Sequence, residues 1–236
     1  MRFDPPFREA RLLRRYKRFL ADVEFPDGRR ITVHCPNTGS MLGCAEPGMR
    51  VWLSQATNPK RKYAWTWEQV EALPGVAVGI HTGRTNSLVR EGIETGLIRE
   101  LAGYPKLRGE VMAGEGFRVD FLLSGARGKP DCYLEVKNLT AAVRDSVALF
   151  PDAVSERASR HLRELMQRVR VHERAMLCFC VQRDDVTEVR PADSIDRIYG
   201  RTLREAVAAG VEVTAYAARV SPAETSLYRS IPVRLP

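Results

Sequence analysis

No run of about 20 consecutive apolar residues occurs in this 236-residue chain, so no membrane span is predicted. The opening Met1-Arg2-Phe3-Asp4-Pro5-Pro6 lacks the apolar stretch of a signal peptide. Cysteine is sparse: five residues, an odd number, widely scattered. That argues against a disulfide framework and for a reducing cytoplasm. No C-x2-C pair exists, and His34, Cys35 and Cys44 are too few for a closed zinc site. No helix-turn-helix is evident, which makes sequence-specific repression of the usual kind the weaker class. Negative charge is the scarcer sign, 29 Asp and Glu against 37 Lys and Arg, leaving a formal net charge of +8. An excess of that sign points to a polyanionic partner, of which nucleic acid is the commonest, with an unpartnered basic surface as the plain alternative. Oligomeric state is not legible in the sequence.

A hydrophobic content of 44% over this length supplies one or two ordinary domains with real cores. Residues 1–83 read as all-β. Phe19, Ala21, Val23 and Phe25 alternate with Leu20, Asp22 and Glu24; Pro26-Asp27-Gly28 turns the chain, and residues 30–35 return as a hairpin. Further strands are predicted over 49–55, 63–71 and 76–82, with no convincing helix. Five short strands suit a Greek-key barrel of OB type, and an SH3-like barrel fits nearly as well. Residues 1–82 hold 13 Lys and Arg against 8 Asp and Glu. Cations interleave with aromatics in Arg14-Arg15-Tyr16-Lys17-Arg18 and in Lys60-Arg61-Lys62-Tyr63, followed by Trp65 and Trp67. On such a surface Arg15, Lys17, Arg18, Lys60, Arg61 and Lys62 would meet phosphates while rings stack on bases. The alternative, favoured for at least one Trp, is that Tyr63, Trp65 and Trp67 share one strand face and fill the barrel. The loop His34-Cys35-Pro36-Asn37-Thr38-Gly39-Ser40-Met41 is dense in turn formers, and Asn37 with the backbone N–H groups near Gly39 is a candidate phosphate contact.

Residues 84–236 change pattern. Gly83-Arg84-Thr85-Asn86-Ser87 reads as a junction and a helix cap, after which Leu88, Val89, Ile93, Leu97, Ile98 and Leu101 recur at helical spacing. Strands are predicted over 106–112, 116–123 and 132–137. The last two carry charges among apolar neighbours: Asp120 between Val119 and Phe121, and Glu135 and Lys137 on either side of Val136. Charges are seldom buried without a partner. Alternation puts Glu135 and Lys137 on one face, and Asp120 joins them if the strands are adjacent. Two carboxylates and a lysine make a divalent-metal site with a cation beside it, an arrangement suited to phosphodiester cleavage. The spacing Asp-x14-Glu-x-Lys resembles the signature of the PD-(D/E)xK nucleases. Pro130-Asp131 spells a literal PD, but it lies only four positions before Glu135 on the same predicted strand, so Asp120 is the better match. A structural ion pair at strand ends explains the same three residues.

Around this core, Glu91 and Glu94 on the preceding helix are candidates to face the metal, with a solvated position as the plainer reading of each. Glu110 is placed to pair with Arg118. A strong amphipathic helix over 155–173 carries Arg157 and Arg160 as phosphate contacts or as part of a solvated face. A buried strand over 176–181 ends at Gln182, whose amide could approach a bound strand or water. A helix over 198–209 and a strand over 211–217 complete an α/β order with a mixed sheet.

Several stretches together resemble the sugar fermentation stimulation protein family: His34 to Met41, Gly116-Phe117-Arg118-Val119-Asp120-Phe121-Leu122, Leu134-Glu135-Val136-Lys137-Asn138, Ala148-Leu149-Phe150-Pro151-Asp152-Ala153, the arginine-rich start of the 155–173 helix, and Phe179-x-Val181-Gln182-Arg183. The resemblance runs essentially end to end. It implies an N-terminal OB-like domain over 1–83 and a PD-(D/E)xK-like domain over 84–236. It also implies non-specific DNA binding linked to regulation of sugar (maltose) utilisation genes. The expectation is a Mg²⁺- or Mn²⁺-dependent deoxyribonuclease. Asp120 and Glu135 bind the metal, the Val136 carbonyl completes its shell and Lys137 positions the attacking water. Single-stranded or structured DNA is the favoured substrate. A non-catalytic DNA-binding regulator and an RNA-directed enzyme are the alternatives.

Overall fold

The computed structural model describes residues 1–114, 116–143 and 146–236. Its first element is one that charge density hides in the sequence. In Arg8–Tyr16 only Ala10 and Leu12 are buried, so the strand (β1) alternates correctly, yet the charged and polar residues around them mask the period. The strands that follow are β2 (Leu20–Glu24), β3 (Arg30–His34), β4 (Arg50–Gln55), β5 (Trp65–Leu73) and β6 (Val76–Gly79). β1 pairs antiparallel with both β2 and β4, β2 with β3, and β4 with β5; a parallel bridge from His34 to Thr66 joins β3 to β5. The ring β1-β2-β3-β5-β4 is therefore a closed five-stranded barrel of OB type, not an SH3-like one. The stretch expected to be its fifth strand, β6, lies outside the ring on the edge of β5, and β1 takes its place.

Both tryptophans of β5 point into the barrel: Trp67 is fully buried among Leu12, Val51, Leu53 and Val70, and Trp65 packs edge-on against Phe25. They are core residues, as the alternation at i and i+2 allows. Cys35, Met41 and Cys44 close the same core from the loop after β3.

The second half opens with α1 (Thr85–Glu94). The helical period runs on to Leu101, but the helix does not: Gly96 adopts φ +73°, and the chain resumes as a short 3-10 turn over Arg99–Leu101. Gly92 lets α1 sit close, since a Cβ there would meet Ile98 and Leu227 at 3.1–3.2 Å. Next come β7 (Lys106–Gly114), β8 (Phe117–Ser124), β9 (Cys132–Leu139), β10 (Ala142–Val143), β11 (Val147–Phe150), α2 (Glu156–Arg170), β12 (Arg174–Val181), β13 (Glu188–Pro191), α3 (Arg197–Ala208), β14 (Glu212–Val220) and β15 (Thr225–Ile231). Six strands form a mixed sheet in the order β15-β14-β12-β9-β8-β7, parallel at its centre, with β10, β11 and β13 in a small separate sheet. β12 is buried on both faces. Leu177 and Phe179 pack towards α2 and α3, while Met176, Cys178 and Cys180 pack towards α1. The result is a sheet sandwiched between helices.

α2 starts where Ser155 caps it, its side chain accepting from the Ala158 N–H at 3.1 Å. Ala158, Leu162 and Leu165 then line its buried face. Truncating either leucine to Ala typically costs about 2–5 kcal/mol.

The two halves share a seam built partly from residues 1–7. Phe3 and Phe7 donate backbone N–H groups to Ala223 and Pro222 in the turn between β14 and β15. Their rings stack 4.1 Å apart, and the Arg84 guanidinium lies over both. From the barrel, Gln69 donates to the Ser221 carbonyl at 2.7 Å. Arg84, at the start of α1, pairs at 2.6 Å with the buried Glu68 of β5. Among the described residues, no helix is long and apolar enough to cross a membrane.

Candidate functional site

β8 and β9 are hydrogen-bonded only from Phe121–Leu134 to Leu123–Cys132. Beyond Phe121 they part, and Asp120 turns its side chain into the fork. One carboxylate oxygen accepts the Val136 N–H at 2.7 Å, standing in for the missing strand carbonyl. The other accepts the Asn86 amide of α1 at 2.8 Å. In a strand the N–H and C=O of one residue share an edge, so the Val136 carbonyl also borders the fork. Glu135, 3% exposed, lies on the α2 side of β9. Its Oε1 sits 2.5 Å from both Lys137 Nζ and His161 Nδ1.

These positions set the electrostatics. Burial and the nearby Glu135 charge push the Asp120 carboxyl above its ordinary range, and the bonds from Val136 and Asn86 only partly offset them. Burial also acts to raise Glu135, but His161 and Lys137 outweigh it and hold that carboxyl low. Both carboxylates open into a cleft of about 390 Å³ rimmed by Arg118, Arg157 and Arg160. Arg118 pairs loosely with Glu110 across the rim at 3.4 Å, both being exposed. Among the described residues no group of three or more His, Cys, Asp or Glu is placed to hold a metal ion. The fork offers instead two carboxylates and one backbone carbonyl, hard oxygen donors of the kind that ions such as Mg²⁺ supplement with water.

Other expected site residues go elsewhere. Glu91 binds the Met1 amino group at 2.8 and 3.0 Å, and Glu94 pairs with Arg90, so neither faces the fork. Gln182 is buried behind the site, where it donates to Asn138 at 2.6 Å and lies 3.4 Å from Thr85. It braces β9 against α1 and is closed to a bound strand. Arg15 donates to the carbonyls of Arg18, Asn37, Gly39 and Ser40, which makes it the pin of the 37–40 loop. Asn37 is buried, with its side chain on the Gly39 N–H, and the Met41 N–H and Ser40 hydroxyl bond Asp152. Those N–H groups are taken up internally, and the loop is a latch to the second half instead of a phosphate cradle. Arg18 donates to Thr38 but stays exposed, as do Lys17, Lys60, Arg61 and Lys62. Sequence reasoning passed over two residues that touch the carboxylates, Asn86 and His161. His161 lies one helical turn after Arg157 on α2 and meets Glu135 only through the packing of α2 across β9.

Two family models match this chain: the SfsA N-terminal OB domain over residues 13–80 and the sugar fermentation stimulation protein RE domain over 83–224. The sugar fermentation stimulation protein homolog of Thioalkalivibrio sulfidiphilus is 60% identical over 236 residues, covering 100% of this chain and 98% of that one. The homolog of the same name from Alkalilimnicola ehrlichii is 56% identical, covering 100% of both. The structure of Pyrococcus furiosus SfsA in complex with Ca²⁺ is similar throughout, with a TM-score of 0.89 at 26% identity, covering 99% of this chain and 98% of that chain.

Proposed function

The chain belongs to the sugar fermentation stimulation protein family, and from that premise we propose that it is a divalent-metal-dependent DNA nuclease. One observation carries the reading: Asp120 and Glu135 line an arginine-rimmed cleft at the strand fork, and Lys137 is bonded to Glu135 there. Asp120, Glu135 and the Val136 carbonyl would hold Mg²⁺ or Mn²⁺. The Ca²⁺ present with the Pyrococcus furiosus relative supports an ion with the same preference for oxygen. A bound ion of this class supplies an acidified water and offsets charge on the phosphate. The chain's own residues do the rest. Lys137 orients the attacking water and faces the charge that grows on the phosphate oxygens. Arg118, Arg157 and Arg160 hold the flanking phosphates, and Arg157 also braces His161. Asn86 and the Val136 N–H keep Asp120 in the fork. The exposed cations Lys17, Arg18, Lys60, Arg61 and Lys62 of the barrel retain the nucleic acid strand, which favours single-stranded or branched DNA.

The test is cleavage of labelled single-stranded, double-stranded and branched DNA, with an RNA control, in Mg²⁺ or Mn²⁺. Wild type and Lys137→Ala are compared after identical purification. Metal-dependent cutting by wild type alone is the expected result. A second reading, a non-catalytic and largely non-specific DNA-binding regulator, draws on the closed pairing of Glu135 with Lys137 and His161. Under it neither protein cuts, and both still bind DNA.

A further inference from the structure

We propose that His161 is a positioning residue for Glu135, holding one carboxylate oxygen so that the other is presented to the ion; this rests on the metal-dependent reading above. The argument starts from α2. The Ser155 cap sets the helix phase that buries Ala158, Leu162 and Leu165, and the same phase buries His161, 7% exposed, beneath Glu135. Among the described residues the imidazole has two hydrogen-bond partners. Its Nε2 lies 3.3 Å from Arg157 Nε, and its Nδ1 lies 2.5 Å from Glu135 Oε1. A guanidinium can only donate, so Nε2 is the acceptor and Nδ1 carries the proton. His161 therefore donates to Glu135.

The Phe117 ring stands edge-on to the imidazole at 5.1 Å and fixes its plane. Lys137 reaches the same Oε1. Two donors on one oxygen determine the carboxylate's rotation, and among the described residues Oε2 has no hydrogen-bond partner and is left for a cation. Lys137 alone, on a flexible four-carbon stem, would not impose that rotation. Partners of this kind behind a metal ligand typically change affinity about 10- to 100-fold.

The experiment is calorimetric titration of the full chain with Mn²⁺, without DNA, alongside thermal melting. His161→Ala should weaken Mn²⁺ binding about 10- to 100-fold. His161→Asn places an amide N–H near the position of Nδ1 and should restore most of the affinity; His161→Gln, whose N–H falls nearer Nε2, should not. If His161→Ala binds Mn²⁺ like wild type while Asp120→Asn does not bind, the positioning role is overturned and the metal site stands. If wild type binds no Mn²⁺, the metal reading falls and takes this inference with it. If Asn and Ala variants lose affinity equally, the role is packing and the proposal fails. Long-range proton–nitrogen spectra of the wild type give an independent check: a protonated Nδ1 is expected, and a bare Nδ1 overturns the assignment.

Discussion

Each half of the molecule sets an aspartate in a strand, and the two are treated in opposite ways. Asp22 of the barrel accepts from Thr32 and Arg14 at 2.7 Å and from Tyr16 at 3.1 Å. Burial acts to raise its carboxyl, but these donors outweigh it and hold the group below the usual range. Asp120 has two donors against those three, and burial and the charge of Glu135 leave it raised. The barrel surrounds Asp22 with donors, whereas the fork leaves Asp120 buried beside a second carboxylate. A carboxylate left raised in a cleft is a physical pointer to a site.

The largest expected effect separates the two directly. Asp120→Asn should lower metal-dependent cleavage by about a thousandfold or more in single-turnover assays. It should leave thermal stability equal or higher, because a carboxylate repelled by Glu135 has gone. A melting temperature that drops as far as for Asp22→Asn would break the comparison. Next, Arg15→Ala should cost about 2–3 kcal/mol in urea unfolding, because the guanidinium donates to four carbonyls of the barrel and its loop. Asp22→Asn should cost about 1–2 kcal/mol by the same measurement. Replacing Lys60, Arg61 and Lys62 together by Ala should weaken DNA binding about tenfold at moderate salt and flatten its salt dependence, with melting unchanged. The smallest effect is the pH sign. Asp22 is lowered, so its contribution is present at neutral pH and is lost as pH falls through its folded pKa. Asp120 is raised, so its contribution is present below the ordinary carboxylate pKa and is lost as pH rises through its folded pKa. Acidification should therefore narrow the stability gap between wild type and each Asn variant, from opposite sides.

The fold class and the family were legible before any coordinates, and so was the closeness of Asp120, Glu135 and Lys137, because charges embedded in apolar strands stand out against their neighbours. β1 was not, since its buried pair Ala10 and Leu12 is outnumbered by arginines. Arg15 read as a phosphate contact because a cation next to other cations looks solvated. Three of its four carbonyl partners arrive only when the 37–40 loop folds over it. Glu91 lay on the right helix, but the residue of α1 that reaches the fork is Asn86, five positions earlier at the helix start. His161 became visible only when α2 packed across β9, a contact between segments 26 residues apart that no local pattern encodes.

The seam of residues 1–7 has a consequence for how this protein can be taken apart. A boundary at 83/84 looks like a single cut, yet the chain returns across it at Phe3, Phe7 and Gln69 to meet Ala223, Pro222 and Ser221. A recombinant second half that begins at residue 84 leaves Arg84 without Glu68 and without the rings it covers, and leaves Glu91 without its amino group. The barrel is thus no interchangeable cassette. Gene fusions or domain swaps that trade it must keep the opening heptapeptide seated on the β14–β15 turn.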